Sequence, residues 1–412
     1  MARRLIVQKY GGTSVGNIDK IINVAKRIVS YKKRGYEIVV VVSALGDTTD
    51  ELLSLASGIT RAPSERELDM LISTGEQVSV ALLAMAVHRL GVEAISFTGA
   101  QVGIVTDSSH TKARIIGVNA RRIREQLKRG KIVIVTGFQG ANVDQEITTL
   151  GRGGSDITAV ALAKVLKAQM CEIYTDVDGI YTADPRIVKD AKKLDRISYE
   201  EMLELASSGA QVLQTRSVEV ASKFNIPLHV RNSFSNRVGT LITKEVKAME
   251  EVLISGVTLN KEEAKVTVCD VPDRPGIVAR IFGEIAKQNI NLDMIIQNVS
   301  RTGSTDVSFT VMASDLGKTL KLMKKVVKAI GGKDVTFNNG IAKVSVVGIG
   351  MRGHSGVAAK MFKALAKRKI NIEMISTSEI KISCVVRKRK GEEAVRILHK
   401  AFGLGKKRAS RK

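Results

Sequence analysis

The run Arg152-Gly153-Gly154-Ser155-Asp156 places two glycines where a turn-rich stretch, Gly140 to Thr149, gives way to an apolar helical pattern at Ile157, Ala161, Leu162 and Val165. The first N–H groups of such a helix have no partner within it, and the helix dipole favours negative charge there. The pattern predicts an anion site, with Arg152 adding a planar fork that matches a carboxylate or a phosphate. The alternative is a tight turn with Ser155 as the helix cap. Lys9 follows the apolar run Leu5–Gln8 and precedes Gly11 and Gly12. Those glycines let backbone approach phosphate oxygens, while the ammonium neutralises charge on a transferring phosphoryl group. The order strand–Lys–x–Gly–Gly is not a Walker A loop, which needs Gly-x-x-x-x-Gly-Lys-Ser/Thr. A third stretch runs from Thr175 to Arg186, with a turn signal at Asp178-Gly179 and an extended Asp184-Pro185. Asp176 and Asp178 read either as solvated turn residues or as contacts, through water, to a nucleotide or its Mg²⁺.

Strands must position these residues. Ile38–Ser43 and Lys131–Thr136 are unbroken runs rich in β-branched residues, as expected of strands buried on both faces. Further strands are predicted near Ala94–Phe97 and Cys171–Thr175, with helices over Ile18–Val29, Gln77–Leu90 and after Asp156. Repeated strand–helix–strand units predict a mostly parallel sheet sandwiched by helices, with the site at the carboxyl ends of its strands. Lys9, Ser43, Gly137 and Asp176 all fall just past predicted strand ends, which points to one shared site.

At 412 residues the chain has room for two or three domains, and 44% hydrophobic content supports sizeable cores. Lys and Arg outnumber Asp and Glu by 65 to 41, a net charge of +24. The basic residues are scattered along helical surface patterns (Lys321, Lys324, Lys325, Lys328), and there is no Trp to build a stacking platform. The charge therefore reads as a lysine-rich surface on an enzyme of anionic substrates, against nucleic-acid binding. Cys171, Cys269 and Cys384 lie in separate strand-like runs, as small buried hydrophobes in a reducing compartment. The five His show no metal-ligand spacing, no apolar run suggests a membrane span, and Met1-Ala2-Arg3-Arg4 leads straight into a strand, so a cytoplasmic location is expected.

The second part repeats itself. Pro275-Gly276-Ile277 through Phe282 matches Ser355-Gly356-Val357 through Phe362, and Lys287-Gln288-Asn289-Ile290-Asn291 through Ile295 matches Lys367-Arg368-Lys369-Ile370-Asn371 through Ile375 at the same offset. Apolar stripes at Ile277, Ile281, Ile285 and at Val357, Met361, Leu365 predict one helix in each copy. Each copy reads as a ferredoxin-like βαββαβ unit.

Taken together, these stretches resemble the aspartate kinases of the amino acid kinase superfamily with tandem ACT domains. The stretches that carry the resemblance are Lys9-Tyr10-Gly11-Gly12-Thr13-Ser14, Val42-Ser43-Ala44 with Asp47 to Leu52, Gly75-Glu76, Ser96 to Gly99, Gly137 to Gly140, Thr148 to Asp156, and Thr175 to Arg186. The resemblance implies a catalytic domain over residues 1–245 and ACT domains over 252–335 and 336–405, and it leaves out only a short basic tail at 406–412. It implies ATP with Mg²⁺ and L-aspartate as substrates, phosphorylation of the side-chain carboxylate, and the first step towards lysine, threonine and methionine. A carboxylate nucleophile is already ionised at neutral pH, so no general base is required.

By the same resemblance, Lys9 stabilises the transferring phosphoryl group, and Asp156 orients Lys9 or holds the metal arrangement. Arg152 pairs with the α-carboxylate of aspartate and Glu76 with its ammonium, with Thr49, Gly153, Gly154 and Ser155 completing the substrate site. Tyr10, Gly11, Gly12 and Ser43 line the phosphates, and Thr175, Asp176, Tyr181 and Arg186 the nucleotide. No metal ligand is assigned among the side chains. Effector contacts fall on Asp273, Gly276, Ile277, Asn291, Asp293 and Gln297 in the first ACT unit, and on Asn371, Ile372, Ser378 and Glu379 in the second. The effector is expected to be lysine, threonine or both, and the assembly a homodimer or larger. Gln211 stands where some relatives carry Lys, with Arg216 nearby as a substitute, and Met249 is a candidate internal start for an ACT-only polypeptide. The competing readings are a glutamate or uridylate kinase on the same scaffold, and a non-catalytic RNA-binding regulator.

Overall fold

The valine- and isoleucine-rich runs become adjacent parallel strands, Leu5–Tyr10, Glu37–Val42 and Ile132–Thr136, at the centre of an eight-stranded sheet. β-Branched residues suit an extended backbone covered on both faces. The computed structural model describes residues 4–210, 212–244, 253–298, 303–349, 351 and 356–406. In sheet order the strands are Arg196–Ser198, Thr240–Thr243, Leu228–Asn232, Met170–Thr175, Leu5–Tyr10, Glu37–Val42, Ile132–Thr136 and Ala94–Phe97. Only Leu228–Asn232 and Thr240–Thr243 pair antiparallel. Helices Ile18–Lys33 and Thr74–Arg89 drive Ile21, Val24, Ile28, Val80, Leu83 and Val87 into one core with Val40, Val42 and Ile134. Helix Gly154–Leu166 is buried along almost its whole length.

The chain divides into two compact units. The first comprises residues 1–180, 193–206 and 211–247, and the second 181–192, 207–210 and 248–412. The insertion of 181–192 into the second unit has a packing cause. Ala183, Val188 and Ala191 share a core with Val344, Val346, Met361 and Leu398, Val257 N donates to Thr182 O, and Thr182 Oγ1 lies 2.9 Å from His399 Nε2.

Within the second unit, the order Glu263–Pro272, Ile277–Lys287, Leu292–Gln297, Ser304–Met312, Leu316–Ile330, Asp334–Asn338 is βαββαβ. Its sheet runs second, third, first, fourth, the ferredoxin-like arrangement. The next repeat supplies Ile341–Ile349, Gly356–Ala366, Met374–Thr377, Lys381–Arg387 and Gly391–Ala401, but its fourth strand is Leu253–Asn260, antiparallel to Ile341–Ile349. A strand that the division at 335/336 assigned to the first ACT unit thus completes the sheet of the second. The stripes Ile277, Ile281, Ile285 and Val357, Met361, Leu365 are buried as their spacing predicted.

Other expectations shift in detail. Lys9 lies inside its strand, paired with Val41 and Ile173, not beyond it. The turn-rich stretch after Gly137 contains two short strands, Gln139–Ala141 and Ile147–Thr149, in a small second sheet. The helical stretch Glu65–Arg89 has the length and hydropathy of a membrane span, although no such run stood out in the sequence; half of that window is buried inside the fold. Cys171 and Cys384 are buried and Cys269 half-buried, all unpaired, and burial pushes the Cys384 thiol up to about 12. Gln211, Met249 and residues 407–412 lie outside the described residues.

Candidate active site

The parallel register brings the ends of Leu5–Tyr10, Glu37–Val42, Ile132–Thr136 and Met170–Thr175 to one edge of the sheet. Strand alternation then decides which side chains reach it. Tyr10 turns inward, fully buried and stacked on Tyr174 at 4.7 Å. Its ring is absent from the cleft, so only its backbone is available to a phosphate, because its neighbour Lys9 takes the opposite face. The Lys9 ammonium lies 2.7 Å from Asp156 Oδ1. That oxygen has no aligned hydrogen bond, so the contact is an ion pair without directional donation. Gln214 N approaches Asp156 Oδ2 at 3.4 Å.

Asp156 and Ser155 belong to the first turn of helix Gly154–Leu166, whose cap is Gly153 at φ +71. Ser155 is therefore inside the helix and not its cap. A Cβ on Gly153 would lie 2.1 Å from Gln214 Cγ, and one on Gly137 would lie 2.4 Å from Ser155 Oγ. The loop after Ile132–Thr136 and this helix start thus meet at backbone distance, and Ser43 Oγ donates to Ser155 Oγ at 3.0 Å. Arg152 is exposed in the preceding turn. Arg216, considered above as a substitute for a missing lysine, instead donates to Leu150 O at 3.0 Å and Ala113 O at 3.2 Å, bracing that turn.

Glu76 sits in the first turn of helix Thr74–Arg89 yet is only 2% exposed. An acid serving the helix dipole alone would stay in water; this one is dry. Its Oε1 accepts from Ala44 N at 3.3 Å, and among the described residues its Oε2 has no hydrogen-bond partner. Burial pushes the carboxyl up to about 8, against the backbone hydrogen bonds that favour the charged form. Thr49 lies half-buried in the first turn of helix Thr48–Ile59. On the neighbouring strand tip, Thr175 Oγ1 donates to the exposed Asp176, and Gly11 N donates to Tyr174 O. Asp178 is a loop pin: Asn232 at 2.8 Å, Ser235 at 3.3 Å and Arg237 at 3.0 Å occupy its oxygens.

Tyr181 and Arg186 belong to the second unit, where Tyr181 packs against the core and exposed Arg186 pairs with Asp184 at 2.7 Å. Asp273 and Gly276 are exposed at the turn before helix Ile277–Lys287, Gly276 at φ +92, while Ile277 is buried beneath it. Asn291, Gln297, Asn371, Ser378 and Glu379 are exposed, and Ile372 is half-buried against the core. Asp293 pairs with Lys343, a buried lysine that also lies 2.7 Å from Glu263. Burial alone would lower the Lys343 pKa, but the two carboxylates outweigh it and hold it raised. Sequence spacing gave no hint of Gln214, of Lys343 or of the bracing contacts of Arg216, since each acts on partners distant in the chain. Among the described residues no group of three or more His, Cys, Asp or Glu is arranged to hold a metal.

A parallel sheet with a lysine-bearing strand tip, a glycine-started helix and a buried acid, joined to two ferredoxin-like repeats, defines an amino acid kinase domain followed by ACT domains. The profile of the amino acid kinase family matches residues 4–232, and ACT domain profiles match 265–328 and 344–402. The chain is 53% identical to an aspartokinase of Pseudomonas aeruginosa over 97% of its own length and 98% of that protein. Among solved structures, E. coli aspartokinase III in complex with aspartate and ADP aligns with 97% of this chain and 100% of that one at 28% identity and a TM-score of 0.85. Its complex with lysine and aspartate aligns with 96% and 99% at 27% identity and a TM-score of 0.73. The chain belongs to the aspartokinase family.

Proposed function

We infer that this chain transfers the γ-phosphoryl group of ATP to the side-chain carboxylate of L-aspartate, giving 4-phospho-L-aspartate and ADP, and that its ACT domains regulate the reaction. The observation that carries the substrate reading is Glu76, a buried carboxylate with one oxygen unpartnered. Such a group is costly unless a cation joins it, and the ammonium of an amino acid is such a cation. Arg152 takes the α-carboxylate, and Thr49, Ser155 and the Gly153–Gly154 backbone complete the cradle. The aspartate side chain is then the free end, directed at the Lys9 strand tip.

In the transfer, an oxygen of that carboxylate bonds to phosphorus as the bond from the γ-phosphorus to the bridging oxygen of ADP breaks. Two anions must be aligned and their repulsion offset. Lys9 supplies positive charge where it builds up, and Asp156 holds Lys9 in place. The backbone of Tyr10, Gly11 and Gly12 with Ser43 faces the phosphates, and Thr175 and Asp176 the nucleotide. Mg²⁺ enters with ATP and shields phosphate charge; exposed Asp176 would hold it through water, which suits a metal that keeps most of its waters.

The effector is lysine, threonine or both, taken by the turn Asp273–Ile277 and by Asn291 and Asn371. The enzyme works in the cytoplasm as a homodimer or larger assembly joined through its ACT domains. ADP release measured with aspartate, glutamate and UMP, with and without lysine and threonine, tests the whole reading. ADP should appear with aspartate alone and fall with effector. Faster release with glutamate or UMP overturns the substrate reading.

A further inference from the structure

Asp69 is fully buried in helix Glu65–Ile72, and the donors to its carboxylate come from elsewhere in the chain. His110 Nδ1 donates to Oδ2 at 2.9 Å, Thr111 N to both oxygens at 3.1 and 3.0 Å, and Thr149 Oγ1 to Oδ1 at 2.5 Å. Ala113 N donates to Thr149 O at 2.9 Å, which ties the 107–113 loop to the same strand. Thr111 adopts φ +63, a conformation costly for a β-branched residue that persists only where its surroundings impose it. A Cβ on Gly151 would meet Thr111 O at 3.2 Å, so the loop lies directly against the turn that carries Arg152.

We propose that His110, anchored on Asp69, is a positioning residue for L-aspartate that fixes the spacing between Glu76 and Arg152. Asp69's helix leads through Ser73 straight into the helix whose first turn holds Glu76, and Gln139 Nε2 fastens that junction by donating to Ser73 O at 2.7 Å. On the other side, Thr149 leads directly to Leu150, Gly151 and Arg152. One dry carboxylate therefore joins the arm that bears the ammonium partner to the arm that bears the carboxylate partner. His110 closes the node: its Nδ1 holds Asp69 while its Nε2 lies 3.6 Å from Glu146 Oε2, so the ring sits between acids from two different segments. None of these contacts involves Lys9, Ser43, Thr175 or Asp176, so losing them should disturb aspartate more than ATP.

The inference rests on Glu76 and Arg152 binding aspartate. It is tested on the full-length enzyme by kcat, KM for aspartate, KM for ATP and thermal midpoint for His110→Ala, His110→Asn and Arg152→Ala. His110→Ala should raise the aspartate KM about tenfold or more, the scale on which small misplacements act, and leave the ATP KM within about twofold. His110→Asn keeps an N–H donor near the Nδ1 position and should restore most of the aspartate KM. An aspartate KM within about twofold of wild type in His110→Ala, or equal rises in both KM values, overturns the proposal while Arg152→Ala still raises the aspartate KM. If Arg152→Ala leaves that KM unchanged, the substrate reading falls and takes this inference with it.

Discussion

Glu76 makes aspartate affinity a function of pH. The side chain is 2% exposed and its carboxyl is pushed up to about 8 by burial. Only the ionised form can pair with the substrate ammonium, which itself stays charged through this range. At pH 6 about 1% of Glu76 is ionised in the free enzyme and at pH 8 about half. Affinity scales with the competent fraction, so the aspartate KM should fall about 50-fold from pH 6 to pH 8 at saturating ATP. Binding at pH 7 should release close to one proton, read by calorimetry in buffers of different ionisation enthalpy.

Stability moves the other way. The folded pKa lies above the unfolded value, so the contribution of neutral Glu76 is fully present below the unfolded pKa of 4.5 and is lost as pH rises through about 8. Glu76→Gln, neutral and of the same shape, removes that dependence. Relative to it, the wild-type enzyme should lose about 2 kcal/mol of stability between pH 6 and pH 8. The variant should also bind aspartate poorly at every pH. A flat wild-type aspartate KM across this range, or wild-type aspartate affinity in Glu76→Gln, refutes the assignment of Glu76 as the ammonium partner.

Other perturbations test other parts of the site. Lys9→Ala should lower kcat by about 10²–10³-fold with a modest change in aspartate KM, since its charge acts where charge develops in the transition state; near-normal turnover removes Lys9 from the chemistry. Gly153→Ala combines φ +71 with a Cβ 2.1 Å from Gln214 Cγ, so it should cost about 1–3 kcal/mol in chemical denaturation and lower activity by shifting the Gln214 contact to Asp156. Lys343→Met leaves Glu263 and Asp293 without their shared buried cation and should cost about 3–5 kcal/mol of stability. Removing Mg²⁺ with a chelator should abolish ADP release while leaving the thermal midpoint of the free protein unchanged, because no described cluster of side chains is arranged to hold a metal.

Local chemistry made much of this protein legible. The β-branched runs at Val39–Val42 and Ile132–Val135 had to be buried strands, the glycines at 153 and 154 had to start a helix, and the stripes at Ile277, Ile281 and Ile285 and at Val357, Met361 and Leu365 had to face cores. Each rests on neighbours within a few residues, so periodicity and turn chemistry expose it. The doubled ACT unit was legible for the same reason, as a repeated local pattern. Only the tertiary structure could decide that Tyr10 turns inward while Lys9 meets Asp156, or that Glu76 is dry. Burial depends on what the rest of the chain lays over a residue. The same holds for Leu253–Asn260, whose sheet was settled by pairing with Ile341–Ile349, nearly ninety residues on, and for Lys343, whose charge is sustained by two acids that no spacing rule brings to its side.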